Sequence, residues 1–155
     1  MASIKQLDER RYKITVSNGY RPNGKKISKA KTIQVPPSVP KRGIGQYVAH
    51  AAEELERITP ALEALKGRLD IPLSVDTFYP TCAEAALKAG ASMINDVSGE
   101  FNTDMAALAK KYHAGYVVMH NPSGAGTVKE YKDGVVCDVR DFFLDSLRLA
   151  AECGL

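Results

Sequence analysis

The sequence contains no tryptophan, only three cysteines and no long uninterrupted apolar run. Cys82, Cys137 and Cys153 lie far apart, without a Cys-x-x-Cys pair or a histidine at metal-ligand spacing, so we expect reduced thiols and no metal site. No apolar run approaches the roughly 18 residues of a membrane span. The N-terminus also lacks the charged, apolar and small-residue order of a secretory signal. These absences predict a soluble, cytoplasmic protein with no membrane partner.

Length limits what the chain can contain. Its 155 residues suffice for one ordinary domain, or for a small domain and part of another. A complete β/α barrel needs about 250 residues. Any barrel pattern found in this sequence is therefore expected to be incomplete, or completed by another chain.

The charge is divided unevenly along the chain. Residues 1–50 hold eleven Lys or Arg and two acids, a net charge of +9, whereas residues 51–155 carry a net charge of −6. The modest total of +3 therefore combines a basic arm with an acidic body. Such asymmetry is typical of segments with different partners.

The basic arm has the pattern of an antiparallel sheet. Short β-type runs cover residues 4–7, 12–18 and 26–35, and the Arg-Pro-Asn-Gly sequence at 21–24 predicts a hairpin turn. The prolines after Val35 end the sheet. We therefore predict a three-stranded β arm over residues 1–43.

A helix is predicted over residues 45–68, where apolar residues recur every three or four positions. Pro60 is expected either to kink this helix or to restart it with Thr59 as the cap.

Strands and helices then alternate. The apolar runs predict strands over residues 71–76, 91–97 and 116–119, and helices over 81–88, 103–112 and 135–153. This order indicates parallel strands with right-handed crossovers. Periodicity alone leaves a doubly wound sheet and a barrel as alternatives.

Polar residues follow three successive strands, where α/β proteins place their chemistry. They are Asp76, Asn95 and His120. A carboxylate and an amide at one sheet edge can pair with the donors and acceptors of a flat heterocycle. The alternative is that these residues cap turns or helices, and spacing alone does not decide between the two.

The strand motifs resemble those of a known family. Residues 71–77 (Ile-Pro-Leu-Ser-Val-Asp-Thr), 90–99 (Gly-Ala-Ser-Met-Ile-Asn-Asp-Val-Ser-Gly) and 117–120 (Val-Val-Met-His) look like the third, fourth and fifth strand motifs of dihydropteroate synthases. Residues 52–60 are similar to the second barrel helix of that family. The resemblance, covering about residues 53–155, implies an α/β fold in which residues 44–155 form a partial (β/α)₈ TIM-type barrel after the β arm. The wider pterin-binding family shares the Asp and Asn motifs.

The resemblance implies a transferase of folate biosynthesis. That family joins 7,8-dihydropterin-6-ylmethyl diphosphate to 4-aminobenzoate and releases diphosphate. Asp76 and Asn95 would then hydrogen-bond the pterin, and Val97 and Met119 would pack against its ring faces. No residue is assigned as catalytic.

Two further polar residues at these strand ends receive supporting roles. We expect His120 to pack or to stabilise a turn, and Asp96 to serve in a turn or to support neighbouring residues.

Several motifs of that family do not occur in this sequence. They are the strand with the Mg²⁺-binding Asn, Asp-x-Gly-Gly-Glu-Ser, Asp-Pro-Gly-x-Gly-Phe, and the C-terminal Lys and Arg-x-His segments. Although Mg²⁺ is the family's metal, no metal ligand is assigned here. Diphosphate binding needs cations or helix N-termini, so little or no synthase activity is expected of the isolated chain. Open strand edges and an uncovered inner face predict self-association.

The arm resembles a different family. Residues 4–7, 11–16 and 19–26 look like the N-terminal arm-site DNA-binding domain of tyrosine-recombinase integrases. This resemblance implies DNA as an alternative partner, with phosphate contacts from six cationic residues. They are Lys13, Arg21, Lys25, Lys26, Lys29 and Lys31. The alternative is a basic β arm without a nucleic-acid partner.

Overall fold

The computed structural model describes residues 2–121, 131 and 133–155, and for residues 17–19 the backbone only. In this part of the chain, two three-stranded sheets and four α-helices follow one another in the order βββαβαβαβα. One sheet is antiparallel and belongs to the N-terminal arm, and the other is parallel. The predicted combination of an antiparallel β arm with an α/β body is confirmed.

The antiparallel sheet consists of β1 (Ser3–Gln6), β2 (Arg11–Tyr20) and β3 (Lys26–Gln34), with β2 in the centre. The predicted turn joins β2 to β3: Arg21 N–H donates to the Lys25 carbonyl at 2.9 Å. Gly24 has a φ of +75°, a left-handed conformation that glycine adopts without strain.

Helix α1 (Ile44–Leu65) follows a short 3₁₀ turn at Lys41–Gly43. It continues through Pro60, so the alternative of a second helix capped by Thr59 is wrong. Pro60 lacks the N–H for one intrahelical hydrogen bond. Apolar residues on both sides of it pack into the core, including Leu55 before it and Leu62 after it, and this packing holds the chain helical.

The body alternates three strands with three helices, as predicted. In chain order they are β4 (Ser74–Asp76), α2 (Pro80–Ala89), β5 (Met93–Asp96), α3 (Thr103–Tyr112), β6 (Gly115–Val118) and α4 (Val135–Cys153). The strands pair in parallel in the order β4-β5-β6. β4 begins at Ser74, three residues later than predicted. Pro72 has no N–H to offer a neighbouring strand, which explains the later start.

Two clusters of buried apolar residues hold these elements together. The first joins the arm to α1 and α2 through residues such as Ile14, Ile33, Leu55 and the free thiol Cys82. The second lies between the parallel sheet and its helices and is centred on residues such as Ile94. The arm therefore packs on the helix layer, and does not lie across the opposite face of the parallel sheet.

Within the described residues, no helix combines the length and the apolar character needed to cross a membrane.

Candidate functional site

The face of the parallel sheet turned away from the helices carries a row of three neighbouring side chains. Asp76 pairs in register with Asn95, and Asn95 pairs with Val117 of β6. Residues paired in this way lie on the same face of a sheet, in strands about 4.8 Å apart. Asp76 and Val117 are exposed and Asn95 is half-buried. The structure therefore brings the two predicted polar residues side by side on an accessible surface.

Val97 and Met119 lie just beyond the ends of β5 and β6, and both are half-buried. Each lies two residues further along the chain than Asn95 or Val117, the spacing at which side chains of an extended segment return to the same face. The four residues proposed for pterin contact therefore belong to one carboxyl-terminal corner of the sheet. Their contacts with a pterin stay a prediction.

Asp96 faces the helix side and is fully buried. Its carboxylate accepts hydrogen bonds from Ser98 N–H and from the Tyr116 hydroxyl, each at 3.0 Å. Tyr116 also accepts a hydrogen bond from Asn102 N–H at 3.1 Å. Burial, with a further contribution from nearby Asp96, raises the pKa of Tyr116 well above its usual value, so the hydroxyl keeps its proton and acts as a donor. This network fixes the turn that carries Val97.

A second contact connects the turns after β5 and β6. Gly99 has a φ of +84°, and a Cβ atom at this position would lie 2.5 Å from the Asn121 carbonyl oxygen. Only glycine allows such a close approach. The turn beside Asn95 therefore packs directly on the turn beside Met119.

The contacts of His120 are those of a residue with a structural role. Its Nε2 lies 2.8 Å from the Asp138 carboxylate on α4, and its ring packs edge-on against Phe142. These contacts attach the end of β6 to α4 and turn His120 away from the open face, in agreement with the packing role expected for it.

The open face has little charge apart from Asp76. Eight described residues of β4 to β6 and their ends share it: Ser74, Asp76, Met93, Asn95, Val97, Gly115, Val117 and Met119. None of these eight is cationic. Among the residues that the structure describes, no group of three His, Cys, Asp or Glu side chains is placed to hold a metal ion. The expectation that this chain holds no ligand for the Mg²⁺ of that family stays a prediction.

The arm cations predicted to contact DNA fall into two groups. Lys13, Arg21, Lys25 and Lys26 are exposed. Lys29 and Lys31 lie on the face of the arm sheet that is turned toward the body, because they pair in register with the inward-facing Val16 and Ile14. The side chain of Lys29 is nevertheless 58% exposed. Lys29 is hydrogen-bonded to Glu63 of α1, and Lys31 lies 3.7 Å from Glu84 of α2. The structure thus does not bring the six residues together on one surface.

Glu84 connects the arm to the body, and its role was not predicted from the sequence. Lys88 and Lys111 approach its carboxylate at 2.8 and 3.3 Å, in addition to Lys31. Partial burial raises the pKa of Glu84, but hydrogen bonds from Lys88 and Lys111 and the charge of Lys31 outweigh it and lower the pKa to about 2. The i, i+4 spacing of Glu84 and Lys88 was the only signal of this network in the sequence.

Comparison with known proteins identifies the body. The sequence pattern of the family described as "Pterin binding enzyme" matches residues 44–155, the greater part of the chain. The chain belongs to the pterin-binding enzyme family. The resemblance of the body to pterin-binding enzymes is therefore confirmed at the level of the family. The match begins at the first residue of α1.

The relatives of this chain include dihydropteroate synthases. That of Synechocystis sp. is 39% identical over an alignment of 115 residues, and the alignment covers 72% of this chain and 39% of the relative. That of Streptococcus pyogenes is 36% identical over 112 residues, which are 72% of this chain and 40% of the relative.

The crystal structure of dihydropteroate synthase from Thermus thermophilus in complex with 6HMPPP has a TM-score of 0.57 and 43% identity, covering 66% of this chain and 39% of that one. The chain therefore spans about 40% of the length of the curated relatives it matches. The likeness supports the partial-barrel fold of the body. The resemblance of the arm to integrases stays a prediction.

Proposed function

We propose that the open face of the parallel sheet is the pterin-binding part of a dihydropteroate-synthase-like transferase of folate biosynthesis. The observation that carries this proposal is the direct register of Asp76 with Asn95 at the carboxyl ends of β4 and β5. In the proposed correspondence, β4, β5 and β6 are the third, fourth and fifth strands of the barrel.

The chemistry of the four residues fits a flat heterocycle with both donors and acceptors. The Asp76 carboxylate can accept two N–H groups of a pterin, and the Asn95 amide can donate one hydrogen bond and accept another. Val97 and Met119 offer apolar surface to the ring. A carboxylate held against the ring also stabilises positive charge that develops when diphosphate leaves.

Turnover requires more than pterin binding. Phosphate oxygens are held by cations, helix N-termini or metal ions, and none of the eight residues on the open face is cationic. We therefore propose that this chain alone binds the pterin ring but releases little or no diphosphate.

Calorimetric titration of the purified chain with 7,8-dihydropterin-6-ylmethyl diphosphate tests this function. We expect saturable binding, and an affinity about 10 to 100-fold lower for Asp76→Asn, because a hydrogen bond to a charged group contributes about 1.5–3 kcal/mol. Asp70→Asn is the matched control, since Asp70 is an exposed carboxylate just before the strand.

The control should bind as the unchanged chain does. Absence of binding by folded protein, or equal affinity for Asp76→Asn and the unchanged chain, would contradict the proposed site.

A further inference from the structure

A second concave site lies on the other side of the helix layer, between the arm and the body. It is an open cavity of about 480 Å³ lined by residues of β2, β3, α1 and α2 and by Lys66. This volume is within the range of pockets that bind small molecules. Because the arm sheet packs on the helices, this cavity is separated from the open face that carries Asp76.

Four lysines surround the cavity. Lys29 and Lys31 come from β3, Lys66 follows the end of α1, and Lys88 lies near the end of α2. The nearby acids are fewer. Glu63 is hydrogen-bonded to Lys29, and Glu84 lies outside the lining but is shared by Lys31 and Lys88. The positive charge of the four lysines therefore exceeds the negative charge of these two acids.

The lysines beside Glu84 also repel each other. Burial lowers the pKa of Lys31, and the charge of Lys88 lowers it further. The Glu84 carboxylate is thus shared by three ammonium groups, those of Lys31, Lys88 and Lys111. A bound anion would supply further negative charge that favours the charged forms of Lys31 and Lys88.

The wall of the cavity is apolar between the charged groups. Leu55 is only 2% exposed and Val16 only 6% exposed, and Ala85 and Ala89 of α2 add small side chains. Such a surface gives no hydrogen bonds and favours an aliphatic or aromatic body. The site thus combines an apolar wall with a cationic rim.

We propose that this cavity binds a small amphipathic organic anion, with its apolar body against Val16 and Leu55 and its anionic group among the lysines. The site is formed by the arm together with α1 and α2, so a body without the arm would not have it. It is independent of the proposed pterin site.

Titration calorimetry with octanoate tests the proposal, with 1-octanol as a probe of similar length that lacks the charge. We expect octanoate to bind with one site per chain and 1-octanol to bind at least tenfold more weakly. The double variant Lys31→Met and Lys66→Met should bind octanoate at least tenfold more weakly. Lys5→Met is the matched control, because Lys5 is an exposed lysine in the opposite orientation on the arm sheet, and it should not change the affinity.

A cavity-filling variant gives a second test that leaves the charge unchanged. Ala85→Leu places three more carbon atoms in the cavity and should also weaken octanoate binding at least tenfold, with the folded state checked by circular dichroism. Asp76→Asn should leave octanoate affinity unchanged, which separates this site from the pterin site. Failure of the folded, unchanged chain to bind octanoate, or equal affinity of the lysine and Ala85 variants and the unchanged chain, would overturn the proposal.

Discussion

Asp76 and Asp96 lie at the ends of neighbouring strands but face opposite sides of the parallel sheet. Asp76 pairs with Asn95 on the open face, whereas Asp96 is the next residue along β5 and points to the helices. One carboxylate is accessible, and the other is buried with two hydrogen-bond donors. The alternation of a strand thus separates a candidate ligand contact from a structural carboxylate.

The different roles of Asp76 and Asp96 were in part predictable from the sequence. The motifs placed Asp76 and Asn95 at strand ends and gave Asp96 a supporting role. The donor to Asp96 was not predictable, because Tyr116 is twenty residues away and its hydroxyl reaches the carboxylate only after the strands pair. Long-range polar contacts of this kind leave no periodic signal in a sequence.

The Glu84 network predicts a specific dependence of stability on pH. The pKa of Glu84 is about 2 in the folded chain, below its ordinary value of 4.5. The free energy by which ionised Glu84 stabilises the folded chain is therefore fully present above about pH 4.5, and it is lost as the pH falls towards 2. After allowance for screening by water, we expect Glu84→Gln to cost about 1–2 kcal/mol at pH 7.

Urea unfolding at several pH values measures this difference. The free-energy gap between the unchanged chain and Glu84→Gln should narrow steadily between pH 5 and pH 2. A gap that does not vary with pH would show that the carboxylate is not held by its lysine partners. Glu152, an exposed residue of α4, serves as the site of a Glu152→Gln control.

At the scale of elements, helices were predicted more closely than strands. The observed bounds of α3 and α4 agree with the predictions, because both helices carry an apolar stripe and each ends at a C-cap residue in the left-handed conformation. In α3, for example, Asn102 accepts hydrogen bonds from two N–H groups of the first turn. Strand ends also depend on partners. β5 begins at Met93, where it pairs with Ser74 and Gly115, and a single sequence does not show this pairing.

Helix α1 is the element shared by arm and body. Leu55 is 2% exposed within the cluster that joins them, and Leu65 at the end of the same helix is 37% exposed. We expect Leu55→Ala to lower the free energy of unfolding by about 2–5 kcal/mol, because it removes buried apolar contacts and leaves a cavity. Leu65→Ala, the matched control, should cost less than about 1 kcal/mol.

Chemical denaturation, followed by circular dichroism and by tyrosine fluorescence, measures the free energy of unfolding of both leucine variants. If the shared cluster couples the arm to the body, the two probes should give one coincident transition. Two separate transitions, or equal effects of the two leucine variants, would mean that the arm does not stabilise the body through α1.

At the scale of the whole molecule, a basic antiparallel sheet and part of a β/α barrel are joined through one helix layer. The uneven distribution of charge was evident from the composition, but the contacts that the arm lysines make with acids of the body were not predicted. Lys29 and Lys31 pair with acids of the body, so part of the positive charge of the arm binds the arm to its own chain. The DNA-binding alternative stays a prediction, and it now rests on Lys13, Arg21, Lys25 and Lys26, the four cations outside these two ion pairs.

The position of the arm on the helix layer was also not predictable from the sequence. The inward-facing residues of β2 and β3 pack against α1 and α2, which lie far from them in the sequence. The face with Asp76 and Asn95 consequently stays accessible. Self-association through this face and its strand edges stays a prediction, which sedimentation measures.

The most direct test of the central claim is to map the pterin by nuclear magnetic resonance. Isotope-labelled chain is titrated with 7,8-dihydropterin-6-ylmethyl diphosphate, and the backbone amide shifts are followed. We expect the largest changes at Asp76, Asn95 and Val97, with little change at Lys5 on the arm or at Ala85 beside the lysine-lined cavity. Changes confined to the arm or to that cavity, with none at Asp76 and Asn95, would contradict the assignment of the open sheet face as the pterin site.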